Sequence, residues 1–474
     1  MKRIFQTLDR WSWVVLILCA PFMLFPSAQR SLVLLIIPGL WLVSFLVGSR
    51  PVLPTPLNVC LLVLGTMLLV SLYATYHIAV SLPKISGMIL GIAVFLAIVR
   101  QSRQPMGWLG GLLVFLVSGA GVAAAGLLGT HWAIEKFGFL GSFTQSLPLV
   151  LRGLPGASEG FHPNEVAGAL LWVLPIFLIL SVTGLMGRTE FPWSGNRVIK
   201  LVVNAILFCL TALIGIVFVL TQSRGGFLAL AVTMFFILGV SLPKRSRLIF
   251  LGASAALAGA AGIWLAASPG GQMLLVEEIN RFAVPGSALS LNSMQFRMEI
   301  WSKAISGIQD FPLTGMGMNT FRQVVQGLYP LFYAGPGVDI GHAHNEFLQA
   351  GLDLGIPGLV AFMGIHVLMF WMAVQTWRLA QRENQREPSP SRAGGISSGS
   401  IQWLGLGLIG GFTAHFLYGL TDAVALGAKP GILFWMVLGL TTGLYILVQT
   451  PHDLPTMGNH ESSIIPSMGK GGFR

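Results

Sequence analysis

Charge is what this chain has least of: 9% of its 474 residues are Asp, Glu, Lys or Arg, against roughly 25% in a soluble globular domain. Together with 54% hydrophobic residues, that scarcity excludes a soluble fold and points to a polytopic membrane protein. Cysteine is sparse too. Cys19, Cys60 and Cys209 lie far apart in apolar runs, which excludes a disulfide framework and a cysteine metal site. No Asp-x-Asp sequence occurs. The internal repeat that marks many transporters is also missing. No cleavable signal peptide is evident, because the run from Trp11 to Phe25 passes through Pro26 to Arg30 straight into another apolar run, and so reads as a first membrane span.

What is present is a series of apolar runs of about 17 to 23 residues, the length a helix needs to cross some 30 Å of hydrocarbon. Helices are the natural spanning unit, and a β-barrel is disfavoured. Spans are expected at about 12–28, 31–48, 57–75, 85–99, 106–128, 164–186, 199–220, 226–242, 247–268, 357–377, 402–420 and 430–449. The expected fold is therefore all-α and polytopic, with about twelve transmembrane helices. Nine spans occupy 1–268, with an outer loop near 129–163. A large, partly helical loop covers 269–356, three spans fill 357–450, and 451–474 forms a cytoplasmic tail.

With the N-terminus inside, the cytoplasmic segments carry 18 of the 28 Lys and Arg residues but 6 of the 17 Asp and Glu residues. This positive-inside bias sets the orientation and accounts for the formal net charge of +11. The basic residues are not interleaved with aromatics, so nucleic acid is not an expected partner. The stretch from Glu383 to Ser400 reads as a flexible linker and the tail as disordered.

In this topology four polar clusters fall on the outer side. The first is Arg152 with Phe161-His162-Pro163-Asn164-Glu165. The second is the turn Thr221-Gln222-Ser223-Arg224-Gly225-Gly226. A third lies on an amphipathic helix over Ser293 to Gln309, with Phe296, Ile300, Ala304 and Ile308 on one face and Arg297 and Glu299 off it. Such a helix is expected to lie near the membrane surface. The fourth is His342-Ala-His344-Asn345-Glu346, which closes the long loop.

Each cluster has two readings. Arg224 is either a functional arginine at membrane depth or an interfacial arginine snorkelling to headgroups, and Gly225 and Gly226 would let backbone N–H groups approach an anion. Arg297 is either a solvated residue paired with Glu299 or Asp310, or the second guanidinium of a phosphate site. Asn345 is a good N-cap for the run Glu346 to Leu354, ended by Gly355-Ile-Pro357-Gly358, so that Pro357 opens the next span. The positive end of a helix disfavours an imidazolium, which suits His344 as a general base. The alternatives for His344 are a capping residue or, with His342 and Glu346, a metal ligand. His162-Pro163-Asn164 reads as a helix start. The stretch Gly315-Met-Gly317 lacks a preceding strand and reads as a loop.

In their order these motifs resemble the superfamily of O-antigen ligases and O-antigen polymerases, bacterial envelope glycosyltransferases. Arg224-Gly-Gly-Phe-Leu228 is similar to its Arg-x3-Leu motif. His344-Asn345, nine residues, Gly355, two residues, Gly358 is similar to its His-[Asn/Ser/Gln]-x9-Gly-x2-Gly motif. Arg297-Met-Glu-Ile-Trp301, Pro312-Leu-Thr-Gly315-Met-Gly317 and Phe161-His162-Pro163-Asn164 also look like family features. The resemblance covers roughly residues 140 to 380 and the twelve-span layout, while the first spans and the tail match only in character. The resemblance implies a GT-C-like membrane glycosyltransferase of the bacterial inner membrane. It would move a glycan from undecaprenyl pyrophosphate on the periplasmic side, without cofactor or metal. It implies His344 as base, Arg224 and Arg297 on the pyrophosphate with Arg152 as a weaker addition, and Asn345, Asn164, Gly225 and Gly226 in support. The implied partners are the lipid-linked glycan, membrane lipids, and a lipid A-core or glycan acceptor. A polymerase stays the alternative within the class, and a transporter or flippase outside it. His342 is expected to be a bystander.

Overall fold

The computed structural model describes residues 12–27, 33–46, 53–132, 143–153, 157, 160–189, 191, 195–270, 292–332, 339–386, 396–424 and 426–449. Among them the chain is all-helical, without strands. The helices are α1 (Ser12–Leu24), α2 (Val33–Leu46), α3 (Asn58–Ala74), α4 (Ile78–Gln101), α5 (Pro105–Gly129), α6 (Pro163–Leu171), α7 (Leu174–Leu185), α8 (Arg197–Leu220), α9 (Arg224–Ser241) and α10 (Lys244–Ala267). They continue as α11 (Asn292–Asp310), α12 (Phe321–Leu328), α13 (Glu346–Arg386), α14 (Ser398–Gly419) and α15 (Ile432–Gln449).

Helices occupy each stretch where hydropathy places a span. By length and composition, six of the described helices can cross a membrane, or seven if the bent pair α6 and α7 is one span, and three shorter apolar helices lie at the N-terminal end. The span expected at 164–186 is thus two helices meeting at 47°. The break falls just before Pro175, whose ring sits in the first turn of α7, where no amide donor is needed. The tail, residues 387–395 of the linker, and residues 271–291 and 333–338 of the long loop lie outside the described residues.

The centre of the bundle is built by α7, α14 and α15, buried on nearly every side. Helices apolar all round suit that place. In α14, small residues let neighbours come close: a Cβ at Gly411 would lie 2.5 Å from the Trp172 carbonyl oxygen. This draws α14 onto the break between α6 and α7.

The segment from Glu346 to Arg386 is two helices. Gly355 has φ 67° and ψ −179°, a backbone state that a Cβ forbids. In a straight helix residues 347 and 366 would stand roughly 28 Å apart, yet their rings are 5.4 Å apart by centroid. The short helix Glu346 to Leu354 therefore folds back along the span that begins near Pro357. The turn Pro312 to Met316 clamps this reversal: Met316 N–H donates to the Leu352 carbonyl (2.7 Å) and Ile356 N–H to the Pro312 carbonyl (2.7 Å). The glycine-bearing loop read from the sequence thus serves the groups that the break leaves unpaired.

One expectation is corrected. The apolar face of α11 is covered by protein, because Ile300 and Ala304 pack with Met316, Phe321, Val325, Ile340, Ala343 and Leu352 in a small core of their own. That core roofs one end of the bundle and carries Arg297 inward.

Candidate active site

Asp422, in the loop after α14, is the hub of the site and is 4% exposed. Its Oδ1 meets His344 Nδ1 at 3.2 Å and accepts from its neighbour Ala423 N–H at 3.0 Å. Its Oδ2 accepts from Asn164 Nδ2 at 2.9 Å and from an Arg297 Nη2 at 3.4 Å. Four donors from four parts of the chain thus converge on one carboxylate. Burial pushes this carboxyl up. The hydrogen bond from His344 and the neighbouring His342, His344 and Arg297 outweigh burial and hold it well below the usual carboxylate range.

The carboxylate accepts, so His344 Nδ1 carries the proton of this bond, and in the neutral imidazole Nε2 is left with the lone pair. His344 is 23% exposed, which leaves the ring open to a substrate. Its backbone is held in an unusual state, φ 48°, and three contacts fix it there. Trp301 Nε1 donates to the His344 carbonyl (3.1 Å), His344 N–H donates to His342 Nδ1 (3.1 Å), and the His342 ring stands edge-on at 4.5 Å. Strain kept in place by such contacts is common at functional sites. His342 is therefore no bystander. Burial and the adjacent His344 lower its pKa to about 3, so it stays neutral and accepts.

Asn345 caps the short helix as expected, its Oδ1 accepting from Phe347 and Leu348 N–H (3.0 Å each), while its Nδ2 donates to the Leu420 carbonyl (2.9 Å). The cap thereby ties His344 to the loop that bears Asp422. Arg297 and Trp301 are four residues apart on α11 and so share one face. Asn164 follows the N-cap His162, whose Nδ1 accepts from Asn164 N–H (3.2 Å). Its carbonyl takes the Tyr418 hydroxyl at 2.6 Å.

Arg224 opens α9 with an exposed side chain. Its turn abuts the site loop, since a Cβ at Gly225 would lie 3.1 Å from Thr421 Oγ1. Gly226 N–H is engaged by the N-cap Ser223 Oγ (3.4 Å) instead of facing a ligand. Arg152 is exposed and turned onto its own loop, its Nε donating to the Leu149 carbonyl (3.0 Å). Among the described residues no contact joins it to the Asp422 cluster. Sequence reasoning missed Asp422, because its partners lie 78, 125 and 258 positions away and no local spacing announces it.

The donor atoms of His342, His344 and Asp422 lie within 4.8 Å of one another, a set that could hold a metal ion. The Asp422 oxygens, however, are already served by four N–H donors, one of them a guanidinium, whose charge opposes a cation. The arrangement is better suited to moving a proton. A carboxylate that orients an imidazole also stabilises the imidazolium formed when the free nitrogen takes a proton.

A buried carboxylate that holds a part-exposed imidazole and the Arg297 guanidinium, at one end of a bundle of apolar helices, marks a multi-pass membrane protein with a candidate active site at the bundle end. Residues 208–363 match the family model described as O-antigen ligase, which supports the O-antigen ligase superfamily and an enzyme of the ligase or polymerase type. The matched segment contains Arg224, Arg297 and His344 and stops before Asp422. A comparison with curated proteins gives no match.

Proposed function

We propose that this protein transfers a glycan from undecaprenyl pyrophosphate to an acceptor hydroxyl, as an O-antigen ligase with lipid A-core as acceptor. The reaction takes place at the periplasmic face of the bacterial inner membrane, the side that the positive-inside charge bias leaves to His344 and Arg224. The observation that carries this reading is the Asp422–His344 pair with its free Nε2. A sugar hydroxyl is a weak nucleophile at neutral pH, and Nε2 takes its proton as the new glycosidic bond forms. Arg224 and Arg297 stabilise the diphosphate as the bond to the lipid breaks. With guanidinium groups neutralising the leaving group, no metal is required.

One base and one displacement imply inversion at the anomeric carbon, and an isolated product of retained configuration would overturn that step. The whole reading is tested by reconstitution with an undecaprenyl-pyrophosphate glycan, with and without lipid A-core. Single transfer to lipid A-core, undiminished by a chelator, is expected. Chain lengthening without lipid A-core would show a polymerase instead, and failure with both acceptors would overturn the reading.

A further inference from the structure

A second histidine and carboxylate meet below the site. His415 is 0% and Glu346 5% exposed, with Nε2 and Oε2 at 3.1 Å. His415 Nδ1 donates to the Gly168 carbonyl at 2.9 Å, since a carbonyl only accepts. Trp172 fixes the plane of the ring, stacked at 3.9 Å and 20°. The Glu346 carboxyl lies flat on the last turn of α14, where a Cβ at Gly419 would be 2.6 Å from Oε2. A polar pair among apolar helices of a membrane protein is costly, and well-packed apolar residues often serve stability as well. Stability alone therefore gives poor reason for it.

Its placement supplies a reason. Glu346 stands two residues after His344, His415 seven before Asp422, and Gly168 four after Asn164. The three groups of this buried cross-link thus sit within two helical turns of Asp422 itself and of two of its partners, His344 and Asn164, which come from different elements. The Tyr418 hydroxyl on the Asn164 carbonyl makes a second tie between two of the same elements. We infer that Glu346 and His415 are positioning residues: their hydrogen bonds fix the register of the short helix, α14 and α6, and so the distance between His344 and Asp422. A displacement of about 1 Å in a catalytic pair costs on the order of a hundredfold in rate. Neither residue touches the substrate. This inference rests on the proposed role of His344.

The test combines turnover with a readout that needs no turnover, on the purified full-length protein in detergent or vesicles. Glu346→Leu and His415→Phe should each lower kcat about tenfold or more, with KM for the lipid-linked glycan within twofold of wild type. Glu346→Gln, which keeps a partner for Nε2, should stay within about threefold. In the double variant the losses should not multiply, because the two residues act as one unit. Carbethoxylation of His344 by diethyl pyrocarbonate, followed by mass spectrometry, should slow severalfold in both single variants and stay normal in Glu346→Gln. A loss confined to KM, multiplying losses, or unchanged His344 labelling would overturn the positioning role. If wild type transfers no glycan but the labelling pattern holds, the proposed function fails and the positioning stands.

Discussion

Among the described residues a histidine and a carboxylate come within 3.2 Å of each other at two places, both at one end of the bundle, and the two pairs differ in what is left over. In the His344–Asp422 pair the imidazole uses Nδ1 and keeps Nε2, its ring is 23% exposed, and its carboxylate accepts from donors on both oxygens. In the His415–Glu346 pair both ring nitrogens are engaged and the ring is sealed between Trp172 and α14. An uncommitted nitrogen facing open space can take a proton from a substrate. A fully committed one can only hold position. Residue type alone does not separate base from strut; the count of satisfied atoms does.

The comparison breaks most readily at His344. His344→Ala should lower the transfer rate by roughly 10²- to 10⁴-fold while binding of the lipid-linked glycan, followed by equilibrium pull-down, stays near wild type. A parallel collapse of binding would make His344 part of the donor site instead. Next in size, Arg297→Lys and Arg224→Lys keep the charge and lose the guanidinium fork. Each should reduce kcat/KM by about tenfold, on the order of the 1.4 kcal/mol that tenfold represents, and full activity would exclude bidentate recognition of diphosphate.

A milder effect concerns pH. His342 has a folded pKa of about 3, below its unfolded value near 6.5, so between these values the unfolded chain binds a proton that the folded one does not. Stability therefore falls as pH drops through this window, with a slope of up to about 1.4 kcal/mol per pH unit from this group. Asp422, held low, adds its own loss only at more acid pH. His342→Gln should shrink the drop in Tm between pH 7 and pH 5; an undiminished drop would remove His342 as its source. The smallest change is expected at Arg152, turned away from the hub. Arg152→Ala should retain activity within about threefold, as exposed residues without buried partners usually do, and a large loss would return it to the diphosphate site.

Much of this was legible in the sequence. Apolar length located the helices, Asn345 announced its cap, and Gly355 with Pro357 announced a break. Topology put Arg297 and His344 on one side, and the structure brings these two together at Asp422. The break inside 164–186 was masked by uninterrupted apolar residues, which hydropathy reads as one span. The face of α11 read as a membrane-surface stripe because amphipathicity records an apolar side without naming what covers it. Asp422, Tyr418 and His415 were silent for another reason: their meaning lies in partners brought near by folding across helices, and an aspartate just past a span looks like any loop residue.

The most direct measurement is the single-turnover transfer rate of Asp422→Asn, made alongside lipid-linked glycan binding. The amide of this variant fills the same volume as the carboxylate but no longer fixes the Nδ1–H form of His344 or stabilises its imidazolium. A fall of roughly 10²-fold or more with binding preserved is expected if Asp422 makes His344 a base, and a rate equal to wild type would contradict it.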